Sequence, residues 1–189
     1  MQTSPDLAKH SASIESQIVG AALEITPVEF RQMIGDAGRE ALRSTMECLN
    51  ADALSVWVND PAVNQLVVTH SEPDEEFVGW CQPLEEGLIS LVYVSEQPIC
   101  ENDVAQNTQH SKRTDDAMGQ TTAAMLVVPL YLGGNPRGVI SCVQLITAPD
   151  QPDPPGFTAR HINRVRRLST LIGRLTNYRL LTGLLDIEL

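Results

Sequence analysis

The sequence has little of what marks membrane, secreted or metal-binding proteins. No run approaches the roughly 18 consecutive apolar residues of a membrane span, and the N-terminus has neither the basic stretch nor the apolar core of a signal peptide. We therefore expect a cytoplasmic protein. The four cysteines form no CxxC pair, so a disulfide framework is not expected. The histidines show no spacing such as HxxxH, and we predict no metal site.

Positive charge is scarce and unevenly placed. The formal net charge of −11 argues against non-specific nucleic-acid binding, which needs a basic surface. No lysine or arginine lies between Arg43 and Lys112, whereas arginines crowd residues 160–179. This pattern favours one solvated acidic face and one basic helix. The alternative is a dipolar surface that steers a partner or a second copy of the chain.

The length of 189 residues is that of about one domain with flanking helices. Thr26-Pro27-Val28-Glu29 has the threonine, proline and glutamate of a capping box, and apolar residues at three- and four-residue spacing predict a helix to about Leu49. A weaker helix is predicted from Ser4 to Ile25. The last helix is predicted over 158–184, after a proline-rich connector.

Between these helices the pattern is mainly that of strands. Hydrophobic alternation and turn residues predict strands at 53–58, 66–70, 77–81, 98–100, 124–130 and 138–145. Residues 88–93 favour a helix because Glu85 and Glu86 precede them. The polar stretch 101–122 is predicted to be a loop with a short helix near 115–118, and a loop this long often covers a binding site. The order predicts an α+β fold with helices packed on one face of a central antiparallel sheet.

Four stretches in this order resemble the GAF family of small-molecule sensor domains. They are Leu49-Asn50-Ala51-Asp52-Ala53 leading into a strand, Pro83-Leu84-Glu85-Glu86-Gly87 followed by Gln97-Pro98-Ile99, Asn102-Asp103-Val104-Ala105, and the hairpin Val128-Pro129-Leu130 to Gly138-Val139-Ile140. The resemblance implies a GAF-like domain over 27–184, preceded by a helical extension over 1–26 and followed by a tail at 185–189. It also implies a loop-covered pocket on the sheet face away from the terminal helices, and a homodimer built through those helices.

The pocket is expected near the third strand, the Gly87 helix and the loop beneath it. Aromatic residues with polar tips and the oriented polar groups of the loop are the side chains that a small-molecule pocket needs. The predicted ligand-binding residues are Trp80, Leu88, Tyr93, Asn102, Asp103, Asn107, His110, Thr121 and Met125, with Thr122 as a further polar candidate. The alternative is that Trp80 is a core residue and that the loop residues cap turns. The sequence identifies neither the ligand nor a cofactor.

Three functions stay open at this point. The first is a non-enzymatic sensory or regulatory module that binds a small molecule or a protein partner and signals through its terminal helices. The second is a thiol-dependent oxidoreductase like the GAF branch that reduces free methionine sulfoxide, in which Cys81 and Cys100 would approach one another. The third is a degenerate GAF scaffold used for dimerisation or docking. We predict no catalytic residue for the first and third.

Overall fold

The computed structural model describes residues 5–148 and 150–185, with side chains from residue 10 onward. Ser4, predicted to open the first helix, and residues 186–189 of the predicted tail lie outside the described residues. The helices are α1 (Pro5–Glu24), α2 (Pro27–Cys48), α3 (Gly87–Ser95), α4 (Arg113–Met118) and α5 (Ala159–Leu184). The strands are β1 (Ala53–Asp60), β2 (Gln65–Glu72), β3 (Cys81–Pro83), β4 (Ile99–Glu101), β5 (Thr121–Leu132) and β6 (Asn135–Ile146).

The strands form one six-stranded sheet in the order β3-β2-β1-β6-β5-β4, with every neighbouring pair antiparallel. The longest pairing joins β5 to β6 across a tight turn at Gly133 and Gly134, both of which have positive φ. Asn135 and Pro136, predicted to belong to this turn, instead begin β6. The predicted α+β fold with a central antiparallel sheet is confirmed.

The capping box predicted at the start of α2 is present. The Glu29 backbone N–H donates to Thr26 Oγ1 at 3.3 Å, and the Thr26 backbone N–H donates to Glu29 Oε2 at 2.9 Å. Hydrogen bonds from Thr26 lower the pKa of Glu29. The helix is broken once, at Gly35 with φ 61°. Arg179 of α5 lies against this kink, where its Nη1 donates to the Gln32 carbonyl oxygen at 3.3 Å.

Each face of the sheet has its own apolar core. On one face α1, α2 and α5 cover the sheet, and Phe30, Leu42 and Ile172 are fully buried there. On the other face α3 and the 3₁₀ turn Val104–Gln106 contribute to a second core, which includes Trp57, a residue that is 1% exposed. Burial of such a side chain contributes about 1.5–3 kcal/mol. The three long helices therefore share one face, which leaves the other to the shorter elements.

The third strand differs from its prediction. Residues 77–81 were expected to be extended, but the strand is Cys81–Pro83 and the preceding residues form a turn. The Val78 N–H donates to the Glu75 carbonyl oxygen at 3.0 Å, and Gly79 has φ 90°. A residue in that conformation ends a strand, because its backbone leaves the pleated path. The turn directs Phe77 toward Trp57, with their ring centroids 5.3 Å apart.

Candidate functional site

A cavity of about 550 Å³ opens on the sheet face away from α1, α2 and α5. Its floor is the sheet, one wall is the start of α3, and α4 with its flanking residues closes part of the opposite side. A second hollow, of about 520 Å³, lies beyond α3 and shares Gly87, His110 and Ser111 with the first. The first cavity is set against the centre of the sheet, so we take it as the candidate site. Its volume is in the range of small-molecule pockets.

The floor of the cavity comes from residues that alternate along β1 and β6. Ala53, Ser55 and Trp57 of β1 line it, as do Ser141 and Val143 of β6. Trp57 Nε1 donates to Ser55 Oγ at 2.9 Å and lies 3.2 Å from Ser141 Oγ, and the two hydroxyls are 2.8 Å apart. The Trp57 N–H therefore has its acceptor, and one of the two hydroxyls donates to the other. Trp57 therefore presents its apolar ring to the cavity.

The wall at the start of α3 depends on Gln82 and Gly87. Gln82 Nε2 donates to the Glu86 carbonyl oxygen at 2.7 Å and to Ser90 Oγ at 3.2 Å. Gly87 has φ 75°, and a Cβ there would lie 2.9 Å from Gln82 Nε2 and 3.1 Å from Ser111 Cβ. Only glycine fits this close approach at this backbone conformation. Gly87 thus brings the wall and the segment around Ser111 together.

Residues 101–122, which we call the cover loop, are fastened to the sheet through Asp115. Its carboxylate accepts from the Thr122 backbone N–H at 2.9 Å, from Thr122 Oγ1 at 2.7 Å and from His110 Nε2 at 3.2 Å. Burial acts to raise the pKa of Asp115, but the hydrogen bonds from His110 and Thr122 outweigh it and leave that pKa below its ordinary value. Asp115 is therefore ionised at neutral pH and holds α4 against the first residues of β5.

The carboxylates that line the cavity have no basic counterpart within the described lining. Among the described lining residues there is no lysine or arginine. The acidic lining residues are Asp52, Glu72, Asp74, Glu76 and Asp115. Glu72 is paired with Arg43 Nε at 3.2 Å, and Asp115 with the donors named above. No group of three histidine, cysteine, aspartate or glutamate side chains in the described part of the chain is arranged to hold a metal ion.

Three of the predicted ligand-binding residues line this cavity, namely Leu88, His110 and Met125. Thr122, the further polar candidate, also lines it, whereas its neighbour Thr121 is exposed at the start of β5. Trp80 lies behind Phe77, with the ring centroids 5.8 Å apart. Tyr93 packs on the α3 side of the same apolar core. The structure thus brings Leu88, His110, Met125 and Thr122 together around the cavity, and it places Trp80, Tyr93 and Thr121 outside the lining.

The three remaining candidates lie at the beginning of the cover loop, outside the cavity lining. Asn102 Nδ2 donates to the Phe157 carbonyl oxygen at 3.0 Å, and the Phe157 N–H donates to Asn102 Oδ1 at 2.7 Å. The Asp103 backbone N–H and Asn107 Nδ2 each donate to the Glu101 carboxylate, at 3.1 and 2.8 Å. Hydrogen bonds from Asn107 and from the Asp103 backbone lower the pKa of Glu101. Asn102 thus connects the loop to the residue before α5, while Asn107 and the Asp103 backbone hold its first turn on Glu101.

Several lining residues were not among the predicted ones. Trp57 and Ser55 could have been found from the alternation along β1, which puts every second residue on one face. Gln82 and Phe77 could not, because the turn at Gly79 that places them has no clear pattern in the sequence. Asp115 lies at the start of the short helix predicted near 115–118, but its contact with Thr122 depends on tertiary structure.

The expected approach of Cys81 and Cys100 is wrong. Cys81 lies on β3 and Cys100 on β4, at opposite edges of the sheet. Five strand spacings of about 4.8 Å separate those edges, on the order of 20 Å, and a disulfide needs Cα atoms within about 7 Å. Burial raises the pKa of Cys100, and that of Cys142 to about 12. None of the four cysteines lines the cavity.

Comparison with known proteins gives a consistent result. A family model described as "GAF domain" matches residues 34–176. No curated protein matches the sequence. Within the described ranges, no helix has both the length and the apolar character needed to cross a membrane.

Solved structures share the fold at low sequence identity. The GAF domain of a phosphoenolpyruvate-protein phosphotransferase from Coxiella burnetii is 20% identical with a TM-score of 0.66, over 94% of this chain and 98% of that one. A free methionine-R-sulfoxide reductase from Neisseria meningitidis is 13% identical with a TM-score of 0.61, over 95% of both chains. The GAF domain of a sensor histidine kinase from Bacillus halodurans is 15% identical with a TM-score of 0.55, over 77% of this chain and 97% of that one.

Proposed function

The chain belongs to the GAF domain family, and we propose that it is a non-enzymatic regulatory domain that binds a small organic molecule in the sheet-face cavity. The observation that carries this proposal is the cavity itself, about 550 Å³ between the sheet, α3 and the cover loop. It combines an apolar floor with a few oriented polar groups, which is the composition of a small-molecule pocket. Within it, Leu88, His110, Thr122 and Met125 are the predicted residues that we retain as ligand contacts.

Signalling would pass from the cover loop to α5. Asn102 at the start of the loop makes two hydrogen bonds to the Phe157 backbone, immediately before α5. Gln144 Oε1 accepts from the neighbouring Gly156 N–H at 2.9 Å, while its Nε2 donates to the Asn50 carbonyl oxygen at 3.0 Å. Ligand that favours one position of the loop would therefore bias the position of the α5 N-terminus, as a population shift.

The terminal helices would carry the output through a second copy of the chain. Leu171 and Tyr178 of α5 and its C-cap residue Leu185 recur at seven-residue spacing and are 44%, 54% and 43% exposed. A repeat of seven puts them on one stripe, which is the arrangement of a helix that packs on another helix. We propose a homodimer through this stripe, with residues 27–184 as the domain unit.

Two other functions receive less support. Reduction of methionine sulfoxide by thiols, the activity in the name of the Neisseria meningitidis protein, needs a reactive thiolate beside the substrate. Here no cysteine lines the cavity. A degenerate scaffold would be expected to fill its pocket with its own side chains, and the open cavity argues against that.

The test is a thermal-shift panel of amino acids, nucleosides, organic acids and amines on two variants. Ala53→Phe places a ring in the cavity from β1, and Ala62→Phe places the same ring on the exposed turn after β1. We expect compounds that stabilise the unchanged protein and Ala62→Phe but lose their effect on Ala53→Phe. Stabilisation that persists in Ala53→Phe, or a panel without effect, would contradict the proposal.

A further inference from the structure

We propose that the ligand of the cavity is an organic amine, with an apolar body and a protonated nitrogen head group. The inference rests on the proposed function, because it gives the ligand chemistry for the same cavity. It follows from the hydrogen-bonding groups and charges that the cavity offers to a ligand.

The charge of the lining favours a cation. Asp52, Asp74 and Glu76 are exposed residues at the cavity mouth, and the described lining offers no lysine or arginine to an anionic ligand. A carboxylate or phosphate that entered would lose hydration without meeting a cationic side chain of the lining, and its positive partners would be the backbone N–H groups at the start of α3. A protonated amine would be attracted to the same mouth.

Gln82 supplies an acceptor that lacks a donor among the described residues. The residue is 6% exposed and lines the cavity. Its Nε2 donates to the Glu86 carbonyl oxygen, and because a carbonyl only accepts, the orientation of the Gln82 amide is fixed. Its Oε1 accepts no hydrogen bond from the described residues. An N–H of a ligand would satisfy it.

His110 supplies a second acceptor at the same end of the cavity. Its side chain is 7% exposed, and Nε2 lies 3.2 Å from a carboxylate oxygen of Asp115. A carboxylate accepts, so Nε2 carries a proton, and in the neutral form of the ring this leaves Nδ1 as an acceptor. Nδ1 has no partner among the described residues. Gly87 lies between the two residues, since a Cβ there would be 2.9 Å from Gln82 Nε2 and 3.1 Å from Cβ of Ser111, the residue after His110.

The remaining lining receives the apolar body. Leu88 and Ile89 of α3 face the cavity from one side, and Met125 and Val143 from the sheet. These side chains cannot discriminate head groups, which leaves the choice between amine and acid to Gln82, His110 and the mouth. The apolar contacts would instead set the size of the ligand that fits.

The experiment compares probes that share a body and differ in the head group. Tryptamine and indole-3-propionate form one pair, and 2-phenylethylamine and 3-phenylpropanoate the other. Binding is measured by isothermal titration calorimetry at pH 7 and low salt. We expect each amine to bind at least tenfold more tightly than its paired acid.

Two variants test the residues that carry the inference. Asp74→Asn with Glu76→Gln removes two charges at the mouth and leaves buried contacts intact, and Glu40→Gln with Glu47→Gln makes the same change on exposed positions of α2. The first double variant should weaken amine binding several-fold and the second should not. Gln82→Met, checked for folding by thermal unfolding, should weaken amine binding about tenfold, the expected effect of losing a hydrogen bond to a charged group.

The outcomes separate this inference from the proposed function. Equal binding of amine and acid, or a preference for the acid, would overturn the amine inference while supporting ligand binding in the cavity. Amine binding unchanged in both the mouth variant and Gln82→Met would also overturn it. If none of the four probes binds at millimolar concentration, the amine inference fails, and the proposed function is decided by the Ala53→Phe comparison.

Discussion

Replacing Asp115 by asparagine tests how the cover loop is held over the cavity. Asp115 is 8% exposed, and its carboxylate accepts three hydrogen bonds, two of them from Thr122. Asparagine has the same shape but carries one NH₂ group, which must face at least one of these donors. The change therefore removes the charge that strengthens these hydrogen bonds, and it replaces at least one of them by a contact with the NH₂ group.

We expect Asp115→Asn to lower the free energy of unfolding by about 2–3 kcal/mol, from the loss of one or two hydrogen bonds to a charged group. With a urea m-value of about 2 kcal/mol/M, the midpoint of urea unfolding should fall by about 1 M. Asp116→Asn is the matched control, because Asp116 is the neighbouring exposed carboxylate of α4. Its effect should stay within about 0.5 kcal/mol.

The pH dependence gives an independent check. The pKa of Asp115 in the folded protein is lowered from 3.8. The charge of Asp115 therefore makes its full contribution to the stability of the fold above that pH. This contribution is lost as pH falls through the folded pKa. The difference in the free energy of unfolding between the unchanged protein and Asp115→Asn should therefore become smaller below about pH 4. Equal midpoints for Asp115→Asn and Asp116→Asn at pH 7 would refute the reasoning.

Four further predictions concern the rest of the structure. Burial, with Arg31 and Arg39 nearby, lowers the pKa of His70 from 6.5 to about 4. Between pH 6.5 and pH 4, His70 therefore binds a proton in the unfolded chain but not in the folded protein. Stability should fall by about 3 kcal/mol from pH 6.5 to pH 4, and His70→Gln should flatten that slope in urea unfolding; an unchanged slope would contradict the burial of a neutral ring. Gly87→Ala should cost about 1–3 kcal/mol more than Gly79→Ala in thermal unfolding, because both have positive φ but a Cβ at Gly79 meets nothing within 4 Å. Asn102→Ala should speed hydrogen exchange in the first turn of α5, whereas Asn163→Ala, an exposed change on α5, should not; similar exchange in both would argue against the proposed link. Leu171→Ser with Tyr178→Ser should weaken the proposed dimer in sedimentation at tens of micromolar, while Val63→Ser with Val94→Ser, equally exposed elsewhere, should leave it intact.

Much of the fold is encoded locally and was therefore predictable. The capping box at Thr26 and Glu29 depends on four consecutive residues, and it sets the start of α2. The hairpin of β5 and β6 depends on two apolar runs around Gly133 and Gly134. Such features need no knowledge of distant contacts, since propensity, pattern and turn chemistry agree.

What could not be predicted depends on contacts between distant residues. Asn102 and Phe157 are 55 positions apart in the chain, so a side chain expected to bind ligand instead contacts the residue before α5. Cys81 and Cys100 are near in sequence but lie at opposite edges, because the strand order does not follow the chain order. The cavity residues illustrate the difference. The alternation along β1 indicates that Ser55 and Trp57 share one face of the sheet, whereas the position of Gln82 depends on the turn at Gly79, which has no clear sequence pattern.

The most direct test of the central claim is a crystal structure of the protein with a compound that stabilises it in the thermal-shift panel. The account predicts density for that compound between Trp57 and the start of α3, with its polar head near Gln82 and His110. A compound bound at another surface, with the cavity closed by the protein's own side chains, would contradict it.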